Sequence, residues 1–315
     1  MKPSSEIIDY FFKVQSKCTE RCLEPTETCE QRAIRSHSIP NAAVLSLLES
    51  DGHVVMAQMK LRIPPPAEVT FKRIGRNHAT TFGGLCAQHD CEIFQPIDEA
   101  PPEVENPKHL FLMSYRAVLR EFHAVLQNAV RFRAVYKKRV ELGISPRGVP
   151  CKYGKFAFSH MLNACECYQY KRYYDDAYMA SDWAQVKHRV IILKAQRPSV
   201  AVSSLFSLDD IDAPETPMVS LSLFPSGDDV VVVVSTIPRD TLFVDGYLRD
   251  ILQSESYFQR YLLSKLILQH CSNFVIAPSY YDALSQDCKD AICRFFVDTI
   301  LDNAEDHEDE RLYLF

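Results

Sequence analysis

Gly84-Leu85-Cys86-Ala87-Gln88-His89-Asp90 is the stretch on which the reading of this chain turns. A Gly-Gly turn delivers a Cys-x2-His pair, and upstream lies Cys22-x6-Cys29. Two thiols followed at a distance by a Cys/His pair supply four soft or borderline ligands, which complete a zinc tetrahedron. The expected structural zinc set is therefore Cys22, Cys29, Cys86 and His89. Cys18-x3-Cys22 is a competing upstream pair, and the plainer alternative is buried thiols with a surface histidine.

Composition sets the frame around this cluster. With 315 residues, 47% hydrophobic and 24% charged, the chain reads as globular protein of two or three domains. No apolar run approaches the roughly 20 residues that span a bilayer, so no membrane partner is expected. Met1-Lys2-Pro3-Ser4-Ser5-Glu6 lacks an apolar signal region, and eleven cysteines suit a reducing, cytoplasmic setting. Net charge is zero over 1–97, +6 over 98–196 and −12 over 197–315. The overall acidity argues against a non-specific nucleic-acid binder. The basic middle segment leaves nucleic acid as a partner there, and the acidic C-terminal segment suits a protein partner.

Turn and periodicity signals predict an α+β chain in three parts: residues 1–97, 98–185 and 186–315. The first opens with a short helix over 1–17 and holds the cysteines, a helical stretch over Asn41–Glu49 and a strand over Gly52–Met59. The Pro-rich, acidic stretch 98–107 is the linker candidate. Leu112, Tyr115, Leu119, Phe122, Leu126 and Val130 recur at helical spacing in Lys108–Leu142, with Gly143 as its stop. A tyrosine-rich helix over Phe156–Ala180 completes the connector. Strands are expected over Val186–Leu193, Ser199–Phe206, Val219–Phe224 and Val230–Thr236, the last covered on both faces. Helices follow near 240–252, 256–271 and 287–301, and the tail from Asp302 to Arg311 is acidic.

The order Cys…Cys…Ala33-Ile34-Arg35-Ser36-His37-Ser38-Ile39-Pro40…Cys86-x2-His89-Asp90 resembles the HNH, or ββα-metal, endonuclease arrangement. That resemblance implies an N-terminal treble-clef or HNH-like zinc module over 18–97 and a metal-dependent nuclease acting on DNA or RNA. His37 then matches the general base that activates water, and Asp90 falls where the family offers a ligand for Mg²⁺ or Mn²⁺. The pattern departs from the family at two places. Phe94 stands where a later helix histidine is expected, and Thr81 where an asparagine is expected. Most of the chain is also similar to an uncharacterised group of bacterial proteins, through Ala79-Thr80-Thr81-Phe82, Cys-x2-His-Asp, Ile-Phe-x-Pro-Ile and Ser114-Tyr115-Arg116-Ala117. A defence role against phage or mobile elements is what that likeness implies.

Other readings stay open on the residues alone. His37 reads first as a capping residue, then as a base or a zinc ligand, and His53 begins a strand after Asp51-Gly52. Cys151, Cys165 and Cys167 have poor ligand spacing, because i and i+2 on a helix point apart. The tyrosines and arginines of the middle segment form either a base-stacking face or the packed interface of two helices. Walker-type, Gly-x-Ser-x-Gly and Gly-x-Gly-x2-Gly motifs are absent. The two functions carried forward are a metal-dependent nuclease and a non-catalytic zinc-stabilised interaction or sensing protein.

Overall fold

The computed structural model describes residues 3–14, 19–60, 68–148, 151–194, 199–208, 216–300 and 308–315. Cys18 and most of the acidic tail lie outside these residues. A short helix α1 (Pro3–Lys13) leads into β1 (Ser36–His37). A π-helical turn over Asn41–Leu45 then runs into α2 (Ser46–Leu48), and β2 (His53–Lys60) and β3 (Glu68–Gly75) follow. After β4 (Thr81–Phe82) come three helices, α3 (Ala87–Asp98), α4 (Pro107–Glu141) and α5 (Lys152–Met179). The C-terminal part runs β5 (Lys187–Lys194), β6 (Val200–Ser207), β7 (Met218–Ser226) and β8 (Asp229–Thr236). It ends with α6 (Pro238–Tyr247), α7 (Arg249–Gln253), α8 (Ser256–His270), β9 (Phe274–Ile276), α9 (Pro278–Ala283) and α10 (Gln286–Ile300).

The centre is one antiparallel sheet of seven strands in the order β3-β2-β9-β6-β7-β8-β5. It takes strands from both ends of the sequence. β2 joins through Val55 opposite Ile276 of β9, and β3 forms the outer strand of the hairpin. Val230–Val234 is buried on both faces, as its unbroken apolar run predicts, and lies between β7 and β5.

The two faces carry separate cores. Val230, Val232 and Val234 face α8 and α10 together with Leu263, Ile267, Ile292 and Phe295. Val231 and Val233 face α4 and α5 with Phe111, Tyr115 and Tyr174. On that second face Ser203, Ser220, Ser222 and Ser235 are buried among the strands, and small side chains there let α4 approach closely. Every residue of α4 from Leu110 to Leu119 is buried, because the sheet covers one side, α5 another and the N-terminal segment a third.

Helix ends follow local chemistry. The Asn106 side chain caps α4 by accepting from the Lys108 N–H at 3.1 Å, and Pro107 occupies the first turn. Gly143 closes α4 with φ +67°. At 35 residues α4 is about 52 Å long, so its far half overhangs the sheet.

Candidate metal centre

Four ligand atoms, Sγ of Cys22, Cys29 and Cys86 and a ring nitrogen of His89, lie within 4.8 Å of one another. Cys86 Sγ is 3.9 Å from Cys29 Sγ and 3.3 Å from His89 Nδ1, and Cys22 Sγ is 3.5 Å from the same nitrogen. Zinc–sulfur bonds of about 2.3 Å and zinc–nitrogen bonds of about 2.0 Å give tetrahedral edges of about 3.8 and 3.5 Å. The separations therefore have the size of a zinc coordination polyhedron, whereas a disulfide needs about 2.05 Å. All three thiols are free. Among the described residues no other group of three or more His, Cys, Asp or Glu side chains is gathered tightly enough to hold an ion.

The backbone builds this geometry. Residues 20–34 double back, with the Ala33 N–H donating to the Glu20 carbonyl at 2.8 Å and Arg21 bridged to Arg32. Both arms then bond to the segment between β4 and α3: Leu23 N–H to Gly84 O and Ile34 N–H to Leu85 O, each at 2.8 Å. Glu24 shapes the tip. Its buried carboxylate accepts from the N–H groups of Thr26 (2.7 Å), Thr28 (2.5 Å) and Cys29 (3.0 Å). Burial alone would raise the Glu24 carboxyl, but these donors and the Thr26 hydroxyl hold it below its ordinary value.

Gly83 and Gly84 are required for space, not for a left-handed turn. A Cβ on Gly84 would sit 2.3 Å from the Phe82 ring, and one on Gly83 would sit 3.3 Å from His123. Cys86 then caps α3 in extended conformation, which places His89 in the first turn.

Electrostatics separates the two buried thiols. Burial pushes Cys22 up to about 12, against N–H donors from Cys86 and Glu24. Cys86 feels the same burial, but the His89 N–H, the Cys22 and Cys29 thiols and the Gln88 N–H together hold it below its ordinary value. A divalent cation would supply the positive charge that turns the whole set into thiolates. The donor set fits a structural metal of zinc type.

His37 and Asp90 sit beside the metal centre and outside it. His37 pairs with Thr81 across the β1–β4 ladder, and its Nε2–H donates to the Arg76 carbonyl at 3.2 Å. Burial lowers the His37 pKa, which keeps the ring neutral at pH 7. Burial raises Asp90, opposed by the Arg116 charge. The buried Ser36 hydroxyl approaches Asp90 without completing a well-aligned hydrogen bond. Next to them Thr80, a β-branched residue, is held at φ +56°, and its carbonyl takes both the N–H (3.0 Å) and the hydroxyl (2.8 Å) of Ser38.

Sequence reading placed Arg116 on the long helix and in the Ser114–Ala117 motif but gave it no role beside the site. Its guanidinium is buried, forks onto both oxygens of Asp98 at 2.7 Å, and lies 4.1 Å from the centre of the Phe94 ring. Nor did it find Asn273, which reaches from the start of β9 to Ser38 (2.8 Å) and ties the segment around His37 to the sheet. The i,i+4 spacing of Lys171 and Asp175 was a signal for a third feature, a fully buried pair at 2.7 Å that also takes the Tyr115 hydroxyl at 2.7 Å. Comparison of the chain with family models, curated proteins and solved structures finds no match.

Proposed function

We propose that the Cys22, Cys29, Cys86 and His89 set is a structural zinc centre of treble-clef kind in a non-catalytic interaction protein. The observation that carries this reading is the closed ligand set. Four protein ligands at tetrahedral separations leave no open position for water or substrate, which is how structural zinc sites differ from catalytic ones. The order of parts supports the treble-clef assignment: a ligand-bearing loop, a two-strand ladder of β1 and β4, then a helix whose cap and first turn supply the second ligand pair.

The nuclease reading rests on His37 as base and Asp90 as ligand for Mg²⁺ or Mn²⁺. Phe94 and the Arg116–Asp98 pair stand against it. A buried guanidinium beside Asp90 disfavours a second cation there, and the family's third metal-binding position is an aromatic ring.

Metal analysis of protein purified without added metal tests the reading. One zinc per chain is expected, lost in Cys86→Ala and kept in His37→Ala, with DNA and RNA left intact by the wild type in Mg²⁺ or Mn²⁺. Cleavage that disappears in His37→Ala would replace this reading with the nuclease. Loss of zinc in His37→Ala would show that the four-ligand assignment is wrong.

A further inference from the structure

The outer half of the α4–α5 pair has a surface that the rest of the fold leaves uncovered. Phe158, Met161, Leu162 and Cys165 recur at the spacing of one helical face, yet the first three are 62%, 44% and 49% exposed and Cys165 is exposed as well. Apolar residues at that spacing ordinarily face a core. Beside the stripe, α4 and α5 enclose an open groove of about 560 Å³. Tyr136, Gly154, Ala157 and Phe158 line it together with Arg133, Lys137 and Lys155.

The charge around the groove is one-sided. Residues 127–165 contain eight Lys and Arg and one acid, Glu141. Among the described residues none of the eight forms an ion pair. Arg131, Lys138, Arg139 and Lys152 rest instead on the rings of Phe11, Tyr10, Tyr153 and Phe156.

We propose that this groove and the stripe beside it bind an acidic amphipathic helix of a partner protein, its apolar face on Phe158, Met161 and Leu162 and its carboxylates toward Arg133, Lys137 and Lys155. The proposal rests on the interaction reading above and names its partner class. Helix-in-groove recognition needs an apolar trough of this kind, and charge complementarity selects the sign of its flanks. A second copy seated on the same face would bring the same excess of positive charge. A phosphate backbone would satisfy the cations and leave the Met–Leu–Phe stripe against water. A bilayer meets a projecting apolar surface more readily than a concave one.

The experiment uses the full chain and a fluorescein-labelled 18-residue helical peptide with Leu and Phe at i, i+3, i+4 and i+7 and Glu elsewhere. A twin with Lys for Glu is the control. Anisotropy should show the Glu peptide binding and the Lys twin not binding, with the affinity falling as salt is raised. Phe158→Asp, at an exposed position and checked for its full zinc content, should weaken binding tenfold or more. The double variant Lys137→Glu, Lys155→Glu should reverse the preference toward the Lys twin. No binding of the Glu peptide, or equal binding by Phe158→Asp, overturns the proposal. A Phe158-dependent dimer, or Phe158-dependent binding of phosphatidylserine vesicles or a 20-mer duplex, also overturns it while leaving an interaction role in place. If nothing binds in a Phe158-dependent way and the chain cleaves nucleic acid through His37, the interaction reading falls as well.

Discussion

The inner and outer halves of the α4–α5 pair use the same kinds of residue and treat them in opposite ways. In the inner half each cation named here has an acid: Arg116 holds Asp98, Arg120 holds Glu121, and Lys171 holds Asp175. Its aromatic rings stack on one another, with Tyr115 and Tyr174 centred 5.9 Å apart and Phe111 5.0 Å from Trp183. In the outer half, among the described residues, the cations lack acids and Phe156, Phe158 and Met161 are exposed. Composition therefore does not explain the bare surface. The inner half is closed by the sheet on one side and by the loop that carries Cys22 and Cys29 on the other, whereas the outer half extends past both.

The proposed zinc centre should produce the largest effect on this contrast. Removing zinc with a chelator, or substituting Cys86→Ala, should remove most of a binding energy that amounts to about 10–16 kcal/mol in isolated zinc-finger peptides. The rest of the sheet core softens that loss, so the expected result is partial unfolding. Hydrogen exchange should rise over 20–34 and the first turn of α3 and stay slow in β6–β8. Equal exposure of the sheet would mean that the loop and the sheet fold as one unit.

Next in size is the buried pair. Lys171→Met leaves Asp175 fully buried with only the Tyr115 hydroxyl as donor, which should cost about 3–5 kcal/mol. Burial already pushes the Asp175 carboxyl up, and Lys171 is the main group opposing this. The double change Lys171→Met, Asp175→Leu should recover most of the loss in urea melts. Failure to recover would mean that the pair also positions Glu27, whose carboxylate lies 3.7 Å from Lys171.

His123 gives a smaller effect with a definite sign. It lies in the inner half, where its Nε2–H donates to the Thr19 carbonyl at 3.2 Å, and burial lowers its pKa, with Arg120 and Arg131 adding to the shift. A histidine whose folded value is depressed binds fewer protons folded than unfolded, so its contribution is complete above the unfolded value of about 6.5 and is lost as pH falls below it. Melts from pH 7.5 to 5.5 should show stability falling, and His123→Gln should flatten that slope. An unchanged slope would assign the acid sensitivity to other groups.

The same contrast separates what could be read in the sequence from what could not. The limits of α4 were legible because Asn106-Pro107 and Gly143 act within one turn of their own positions. The four candidate ligands were legible because metal chemistry restricts residue type and spacing together. What stayed hidden depends on distant partners. β3 becomes a strand by pairing with β2 along its length, and the three-residue β9 becomes one by fitting between β2 and β6. An arginine in a helical stripe gives no sign that Asp98 will let it be buried. The Gly83-Gly84 pair was legible as a turn, but its cause is the Phe82 and His123 rings, which only the fold brings there.

The smallest expected effect is in the outer half. Phe158→Ser removes a ring that is 62% exposed, so stability should change by no more than about 0.5 kcal/mol. The equivalent change in the inner half, Phe111→Ser, removes a fully buried ring packed against Trp183 and Tyr174 and should cost about 3–5 kcal/mol. Paired melts of the two variants measure the contrast directly. If Phe158→Ser costs as much as a core ring, the outer half is already covered in the free protein, and its cations and apolar stripe serve folding. If it costs nothing while changing binding, those residues are kept at the surface for contact with another molecule, because a large apolar stripe facing water contributes nothing to the fold that carries it.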